Sequence, residues 1–275
     1  MNIDNFDKKI KDIKFARFLG GFVSEGNLVE TGCMKITNAN LEFIDHLVNC
    51  ATNLFGNTIV TSKRPTLEHP NDESKFAYHK YFSAVFGKFL INAVGIKPGK
   101  RILNDDPLPK FILNWRCGGD FETFREWMKN YLQARFSGDG WVHLEKRWAG
   151  ITKAKAITLN PILKNELLHL YSKGKKVKDY PKDFIKKLKQ EARKEINFPK
   201  ELVQLKDILN KDFDITSTVK SVGIRTIYFD KKRKFIIVSG VYHLLITRQG
   251  IEKFEREINF LDFDARNKER LNSIV

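Results

Sequence analysis

Two stretches of the chain, FLGGFVSEG at residues 18–26 and LQARFSGDG at residues 132–140, resemble each other and organise the rest of the sequence. Superposing their final glycines gives an offset of 140 − 26 = 114 residues. Each stretch ends a run in which apolar residues, such as Phe15, Phe18 and Phe22, recur at the spacing of one helix face. The pattern predicts one helix in each half of the chain, ending at an acid followed by glycine.

The residues after both stretches follow the same order of predicted elements. Each half reads helix, two strands, helix, two strands, helix, which indicates a fused duplication with pseudo-twofold symmetry. The equivalent strand–helix segments are 35–47 and 156–170, the equivalent hairpins are 57–65 with 75–85 and 221–230 with 234–246, and the last helices start near residues 86 and 248.

These repeats predict an N-terminal half at 1–104, a linker at 105–121 and a C-terminal half at 122–275. The linker is rich in Asp, Pro and Gly, which is typical of turns. A lysine-rich segment at 172–198 has no counterpart in the first half and is interpreted as an insertion. It is either a solvated helical excursion or an arm that contacts phosphates.

Composition limits the class of protein. The 275 residues include 49 basic and 33 acidic side chains, a net charge of +16, which favours a polyanionic partner: nucleic acid first, an anionic membrane surface second. Cys33, Cys50 and Cys117 are widely spaced, which disfavours a disulfide framework or a zinc ribbon. No signal-peptide core and no run of about 20 apolar residues occurs. We therefore expect an intracellular protein of the cytoplasm, the nucleoid or an organelle matrix, with no membrane partner.

Small side chains line one face of both predicted motif helices. Glycine inside a helix costs about 0.5–1 kcal/mol relative to alanine, so it needs a compensating reason. Close approach of two helix backbones is such a reason. The residues on these faces are Ala16, Gly20 and Ser24 in the first copy, and Asn130, Ala134 and Gly138 in the second.

An acid and then a glycine follow each small-residue face: Glu25-Gly26 and Asp139-Gly140. Glycine in this position is the usual left-handed helix stop. Two such helices packed in parallel bring both carboxylates to the negative ends of the helices, where they repel each other. A divalent cation between them relieves that repulsion, and Mg²⁺ prefers oxygen ligands completed by water. The sequence therefore predicts a magnesium site.

At these residues the sequence resembles the LAGLIDADG homing endonucleases, in their monomeric, two-motif form. LQARFSGDG keeps the family pattern closely, whereas FLGGFVSEG is looser and has Glu25 in place of the commoner aspartate, a substitution that the family accepts. The resemblance extends along most of the chain through the duplicated element order. It implies an α+β fold of two αββαββα halves related by a pseudo-twofold axis. The motif helices pack at the centre, and an antiparallel β saddle lies along the DNA major groove.

The resemblance also implies an activity, which is Mg²⁺-dependent hydrolysis of both strands of a long DNA target, leaving short 3′ overhangs. It implies an intron-encoded monomer with Glu25 and Asp139 as catalytic metal ligands. The main-chain carbonyls of Ser24 and Gly138 are expected to complete the ligand shells, with Mn²⁺ as the alternative ion.

Basic residues near the scissile phosphates are expected from the same resemblance. Family members often keep an active-site lysine where Lys100 follows Pro98-Gly99, and Lys268 is its rough counterpart in the second half. Lys35 is expected to face the metal, and its partner position is expected at Ala156, with Lys155 beside it.

The remaining basic side chains are expected to contact DNA. A two-stranded ribbon can enter the major groove, where arginine pairs with guanine, while lysines along its edges hold phosphates. The predicted DNA contacts are Lys35, Lys63, Arg64, Lys80, His143, Lys146, Arg147, Lys155, Arg225, Lys232 and Arg233.

Alternative functions remain open from the sequence. An RNA maturase that assists splicing of its own intron would use the basic insertion to bind intron RNA. A catalytically silent transcription regulator on the same scaffold predicts a lost acid or an added helix-turn-helix domain, and neither is found. A basic ribosomal or membrane-surface protein would not explain the duplicated acid–glycine endings. Retention of both acids favours the nuclease.

Overall fold

A computed structural model of the chain describes residues 1–61, 66–67, 77–99, 105–172, 176–194, 198–230 and 235–275. The helices are α1 (Phe6–Ile10), α2 (Ile13–Glu25), α3 (Leu41–Phe55), α4 (Ala84–Phe89), α5 (Lys110–Gly118), α6 (Phe121–Asp139), α7 (Pro161–Leu170), α8 (Lys182–Lys194), α9 (Lys200–Asp212), α10 (Ile251–Glu257) and α11 (Ala265–Asn272). The strands are β1 (Gly26–Leu28), β2 (Met34–Asn38), β3 (Thr66–Leu67), β4 (Tyr78–Phe82), β5 (Gly140–His143), β6 (Trp148–Ala156), β7 (Ser217–Asp230) and β8 (Phe235–Ile246).

The two halves repeat the same topology. The first sheet has the strand order β1-β2-β4-β3 and the second has β5-β6-β8-β7, and all pairings are antiparallel. Each half is therefore an αββαββα unit, α2-β1-β2-α3-β3-β4-α4 and α6-β5-β6-α7-β7-β8-α10. In the second unit, α8 and α9 are inserted between α7 and β7. The predicted fold class and duplication are confirmed.

The motif helices α2 and α6 pack side by side and parallel. A Cβ atom at Gly20 would lie 2.2 Å from the carbonyl oxygen of Tyr131, and one at Gly138 would lie 2.2 Å from Ser24 Oγ. These contacts pair the middle and the end of α2 with the middle and the end of α6. The small faces predicted from the sequence therefore allow the two backbones to approach, and the helices end together.

Both motif helices begin at an aspartate cap and end differently from the prediction. Gly26 and Gly140 are extended, with φ of −80° and −83°, and are not left-handed stops. A Cβ at Gly26 would lie 2.1 Å from the Phe22 ring, and one at Gly140 would lie 2.1 Å from the Phe136 carbonyl oxygen. Glycine is needed here because the chain turns directly from helix into strand against the last helical turn.

Each sheet packs one face against the helices. In the first sheet, Ile36 and Phe82 are buried, and the Phe82 ring contacts that of Phe18 on α2 at 5.9 Å. The alternate residues Lys35 and Tyr81, which pair across β2 and β4, lie on the outer face. The two-residue period of the strands therefore separates a core face from a face that is open to a partner.

Three segments differ from the prediction. The expected linker contains helix α5. The strand expected at 57–65 begins instead as a 3₁₀ turn at Asn57–Ile59, with residues 62–65 outside the described part of the chain. Helix α9 was not predicted, although its buried residues Leu202, Leu205 and Leu209 follow a helical period. Among the residues described, no helix is both long and apolar enough to cross a membrane.

Candidate active site at the paired helix ends

Glu25 and Asp139 line one cavity of about 440 Å³ at the joined C-terminal ends of α2 and α6. A Cβ at Gly138 would lie only 3.4 Å from Glu25 Cγ, so the two helix ends are in contact. Segment 95–97, which follows α4, forms part of the wall. Thr152, Lys153, Ala154, Arg225 and Glu201 line the side formed by the second half.

A buried group of charges surrounds Asp139, and we call Arg135, Asp139, Lys153 and Glu201 the charge cluster. Arg135 is 2% exposed, and its Nη1 donates to Asp139 Oδ2 at 2.6 Å while its Nε donates to Glu201 Oε1 at 3.1 Å. Lys153 Nζ donates to the other carboxylate oxygen of Glu201. Buried charges are tolerated when they are paired and hydrogen-bonded, as here.

Within the cluster, Glu201 and Arg135 keep each other ionised. Burial would raise the pKa of Glu201, but the adjacent Lys153 and Arg135 lower it to about 2. Burial would likewise lower the pKa of Arg135, but Glu201 and Asp139 outweigh that effect and raise it. Asp139 therefore lies beside a permanent cation.

We expect Glu201→Gln to change how stability depends on pH. The folded-state pKa of Glu201, about 2, lies below the ordinary value of 4.5, so its ionised form stabilises the fold fully above pH 4.5. That contribution, on the order of 3 kcal/mol, is lost as the pH falls toward 2. Urea unfolding at pH 7 and pH 3 should show a difference between wild type and variant that shrinks at pH 3. An equal difference at both pH values would contradict this, and Asp183→Asn, an exposed acid on α8, is the control.

The donor set fits a divalent cation. Glu25 and Asp139 offer carboxylate oxygens, and the carbonyls of Ser24 and Gly138 lie in the last turns of the same helices. Arg135 occupies one oxygen of Asp139, and the part of the chain described here contains no group of three His, Cys, Asp or Glu side chains placed to bind a metal. An ion that keeps several water ligands, as Mg²⁺ does, needs only one or two protein carboxylates.

The two lysines predicted beside the metal, Lys100 and Lys268, have different outcomes. Lys268 lies in α11 and pairs with Asp262 at 2.7 Å, outside the cavity lining, and Lys100 lies outside the described residues. The cavity instead contains Lys97, three residues earlier than Lys100, paired with Asp106 at 2.7 Å. Lys97 is the basic side chain that the sequence interpretation missed at this wall.

Two predicted DNA contacts point away from the outer sheet faces. Lys80 pairs across the sheet with Ile36 and is only 6% exposed, because the strand period places it on the helix-packed face. Lys155 lies on the same face of β6 as Ile151 and pairs with Asp105 at 3.1 Å. Neither side chain therefore lies on an outer sheet face.

Arg147 is also engaged within the protein. It adopts a positive φ of 51° in the β5–β6 turn, and its guanidinium donates to the main-chain oxygens of Ile274 and Val275 at 2.5 and 3.1 Å. It therefore anchors the C-terminal segment to this turn.

Other predicted contacts lie where a partner can reach them. Lys35 is on the outer face of β2, and Arg225 is exposed in β7 and lines the cavity. His143 ends β5, and Lys146 lies 5.1 Å from the centre of the Trp148 ring. Lys63, Arg64, Lys232 and Arg233 lie outside the described residues.

The expected equivalence of Lys35 with Ala156 is wrong by six residues. Gly26 pairs with Ile36, and its counterpart Gly140 pairs with Ile151, so the residue equivalent to Lys35 is Gly150. Strand β6 has nine residues whereas β2 has five, and the additional length lies before α7. The correspondence between α3 and α7 was correct. Counting back from these helices nevertheless paired Lys35 with the wrong residue of β6.

The strands carry an uneven charge. Their 54 described residues include six lysines and arginines but one acid, Asp230, which is 4% exposed. Lys220, on the outer face of β7, lies 5.3 Å from the Trp148 ring that Lys146 also approaches. The sheets therefore offer positive charge and no exposed carboxylate in their strands.

Sequence reasoning missed most of the charge cluster. Arg135 lies inside the motif LQARFSGDG, four residues before Asp139, which is the spacing of a helical ion pair. That signal was available. The sequence carries no such signal for Glu201, because its contact with Arg135 depends on how α9, 66 residues later in the chain, packs.

Comparisons with known proteins gave matches among solved structures alone. No protein-family model matches the sequence, and no curated protein matches it. The similar structures include full-length DUF199/WhiA from Thermatoga maritima (10% identity, TM-score 0.40, covering 96% of this chain and 60% of that one). The chain thus spans about 60% of the length of that protein.

Two further structures are of I-DmoI. One is its complex with DNA and Mn, with 13% identity, a TM-score of 0.40, and coverage of 90% of this chain and 97% of that one. The other is a set of mesophilic variants of the homing endonuclease I-DmoI, with 12% identity, a TM-score of 0.43, and coverage of 95% and 99%. Solved structures similar to this chain therefore include a LAGLIDADG homing endonuclease, a member of the family that the two motifs resemble.

Proposed function

We propose that this protein is a site-specific DNA endonuclease that uses Mg²⁺, or Mn²⁺ in its place, to break both strands of a long target and leave short 3′ overhangs. One observation carries the proposal. Glu25 and Asp139 line the same cavity where two parallel helices end in contact. Carboxylates placed together at the negative ends of two helices need positive charge near them, and a divalent cation between the helix ends would supply it.

The two halves, 1–104 and 122–275, are proposed to act as one monomeric unit joined by 105–121. Since a single chain supplies both acids, no second copy is required to complete the site. The outer faces of the two sheets are proposed to lie in the major groove, with the insertion at 172–198 at one end. A DNA target fits action inside a cell or an organelle, and we propose separately that the gene lies within an intron.

The residues of this chain have separable parts in the proposed reaction. Glu25 and Asp139 would hold the cations, with the carbonyls of Ser24 and Gly138 beside them. When bound, these cations supply an activated water and charge stabilisation at the phosphate. Arg225, exposed at the same cavity, contributes positive charge toward the DNA backbone.

Plasmid cleavage tests the proposal. The substrate carries the host-gene junction without its intron, and a plasmid lacking the junction is the control. We expect linearisation with Mg²⁺ or Mn²⁺ and none with Ca²⁺ or with the control plasmid. An uncut plasmid in all conditions would contradict the nuclease proposal.

The maturase alternative has one observation in its favour. Helix α8 of the insertion presents exposed Lys182, Lys186 and Lys189, while Phe184 and Leu188 are buried. Such a basic helix suits a structured RNA as well as DNA phosphates. Tight binding of the intron RNA by a protein that leaves the plasmid uncut would favour the maturase.

We expect Arg225→Ala to weaken DNA binding without altering the fold, because Arg225 is exposed and lines the cavity. Loss of one phosphate contact should reduce the slope of log affinity against log salt concentration by about one. Fluorescence anisotropy with a labelled target in Ca²⁺, across salt concentrations, measures this slope. Lys211→Ala, an exposed lysine on α9 outside the cavity lining, is the matched control. Equal slopes for both variants and wild type would show that Arg225 does not contact the DNA.

A further inference from the structure

The two motif acids have different surroundings. Asp139 pairs with Arg135 at 2.6 Å, four residues earlier on α6. The equivalent position before Glu25 is Gly21, at the same 114-residue offset. A Cβ at Gly21 would lie 2.5 Å from Leu47 Cδ1, so a side chain there would require the buried Leu47 of α3 to move. The first motif helix therefore has no arginine at the position equivalent to Arg135.

The partner that holds Arg135 comes from a helix inserted between α7 and β7. Glu201 lies on α9, which has no counterpart among the described residues of the first half, and its carboxylate accepts hydrogen bonds from Arg135 and Lys153. The β-strand register makes Asn38 the equivalent of Lys153, so the first half lacks this cation as well. The charge cluster contains two cations and two anions and is neutral as a whole.

We propose that Glu201 is a positioning residue that holds Arg135 and thereby sets how strongly Asp139 binds a divalent cation. The inference rests on the proposed function, since it concerns the cation site of that nuclease. A guanidinium shared between Asp139 and Glu201 leaves Asp139 part of its charge for a metal. A guanidinium paired with Asp139 alone would leave Asp139 less negative charge with which to bind a metal.

This role predicts opposite effects for two substitutions in the same cluster. Glu201→Gln removes a negative charge, makes the cluster positive, and leaves Asp139 as the one anion facing Arg135, so cation affinity falls. Lys153→Met removes a positive charge and lets Glu201 draw Arg135 away, so cation affinity rises. A merely structural role for the cluster would lower affinity in both variants.

Titration of the full chain with Mn²⁺ alone, without DNA, tests the inference. Electron paramagnetic resonance of free Mn²⁺ reports affinity, and Asp139→Asn identifies the site in question. We expect at least about tenfold weaker binding in Glu201→Gln and severalfold tighter binding in Lys153→Met, because one charge a few ångströms away has effects of this size. Lys211→Met on the same helix α9 should bind as wild type does.

Thermal unfolding checks that each variant is folded. Should Glu201→Gln not fold, Arg135→Met provides the second test, with tighter binding expected. Shifts in the same direction for Glu201→Gln and Lys153→Met, no shift in either, or no Mn²⁺ binding in any protein would overturn the inference.

The two proposals can fail separately. Opposite shifts in Mn²⁺ affinity together with an uncut plasmid would support the positioning role of Glu201 and reject the nuclease. A plasmid cut by wild type, with Mn²⁺ affinity unchanged in the variants, would support the nuclease and reject the positioning role.

Discussion

Glu25→Gln is expected to abolish Mg²⁺-dependent double-strand cleavage while DNA binding in Ca²⁺ stays close to wild type. The substitution keeps the size of the side chain but removes the negative charge that would hold a cation at the end of α2. Loss of a group that stabilises charge in the transition state costs about a hundred- to a thousandfold in rate. Single-turnover cleavage of a linear target measures the rate, and anisotropy measures binding.

The matched control for this substitution is Glu42→Gln, the same chemical change at an exposed acid in the first turn of α3. It should cleave as wild type does. Asp139→Asn should reproduce the loss seen with Glu25→Gln, since the two acids line one cavity. Undiminished cleavage by Glu25→Gln would show that this acid does not take part in catalysis.

Gly20→Ala is expected to be strongly destabilising, although it adds a single methyl group and improves helix propensity. The new Cβ would lie 2.2 Å from the Tyr131 carbonyl oxygen and 3.3 Å from the Arg135 main-chain nitrogen. Both atoms belong to the backbone of α6, so no side-chain rotation can relieve the clash. We expect a loss of about 3 kcal/mol or more in the free energy of unfolding, at the upper end for overpacking.

Urea and thermal unfolding measure this loss, which corresponds to a decrease in Tm of about 6–12 °C. Gly118→Ala is the control, because Gly118 ends α5 and a Cβ there meets nothing within 4 Å. That variant should be as stable as wild type or slightly more stable. Equal effects at Gly20 and Gly118 would contradict the close packing of α2 and α6.

Separation of these helices should also separate Glu25 from Asp139, so Gly20→Ala should reduce cleavage.

Several features could be predicted from the sequence because they depend on local periodicity. The apolar face of Phe15, Phe18 and Phe22, the small face that includes Gly20, and the acid–glycine ending are all short-range patterns. Because the chain contains a duplication, each pattern occurs once in each half of the sequence. These patterns predicted two motif helices, their close approach and the order of elements in each half, and the fold has all three.

The placement of individual basic residues could not be predicted. Lys35 and Lys80 lie on paired strands of one sheet, yet Lys35 faces outward and Lys80 faces the helices. A shift of one residue exchanges the two faces of a strand, so an unknown register leaves side-chain direction undetermined. The additional residues of β6 similarly moved the equivalent of Lys35 from the expected Ala156 to Gly150.

The sequence by itself determined the two-motif architecture and placed Glu25 and Asp139 at the ends of the motif helices, since helix periodicity and repetition are encoded locally. Tertiary structure alone decided the surroundings of those acids. The pairing of Arg135 with Glu201 joins residues 66 positions apart, and it forms because α9, which packs against β7 and β8, brings Glu201 to the buried side chain of Arg135. No local pattern specifies such a contact, since it depends on how an inserted helix returns to the core. That contact makes the two halves chemically different.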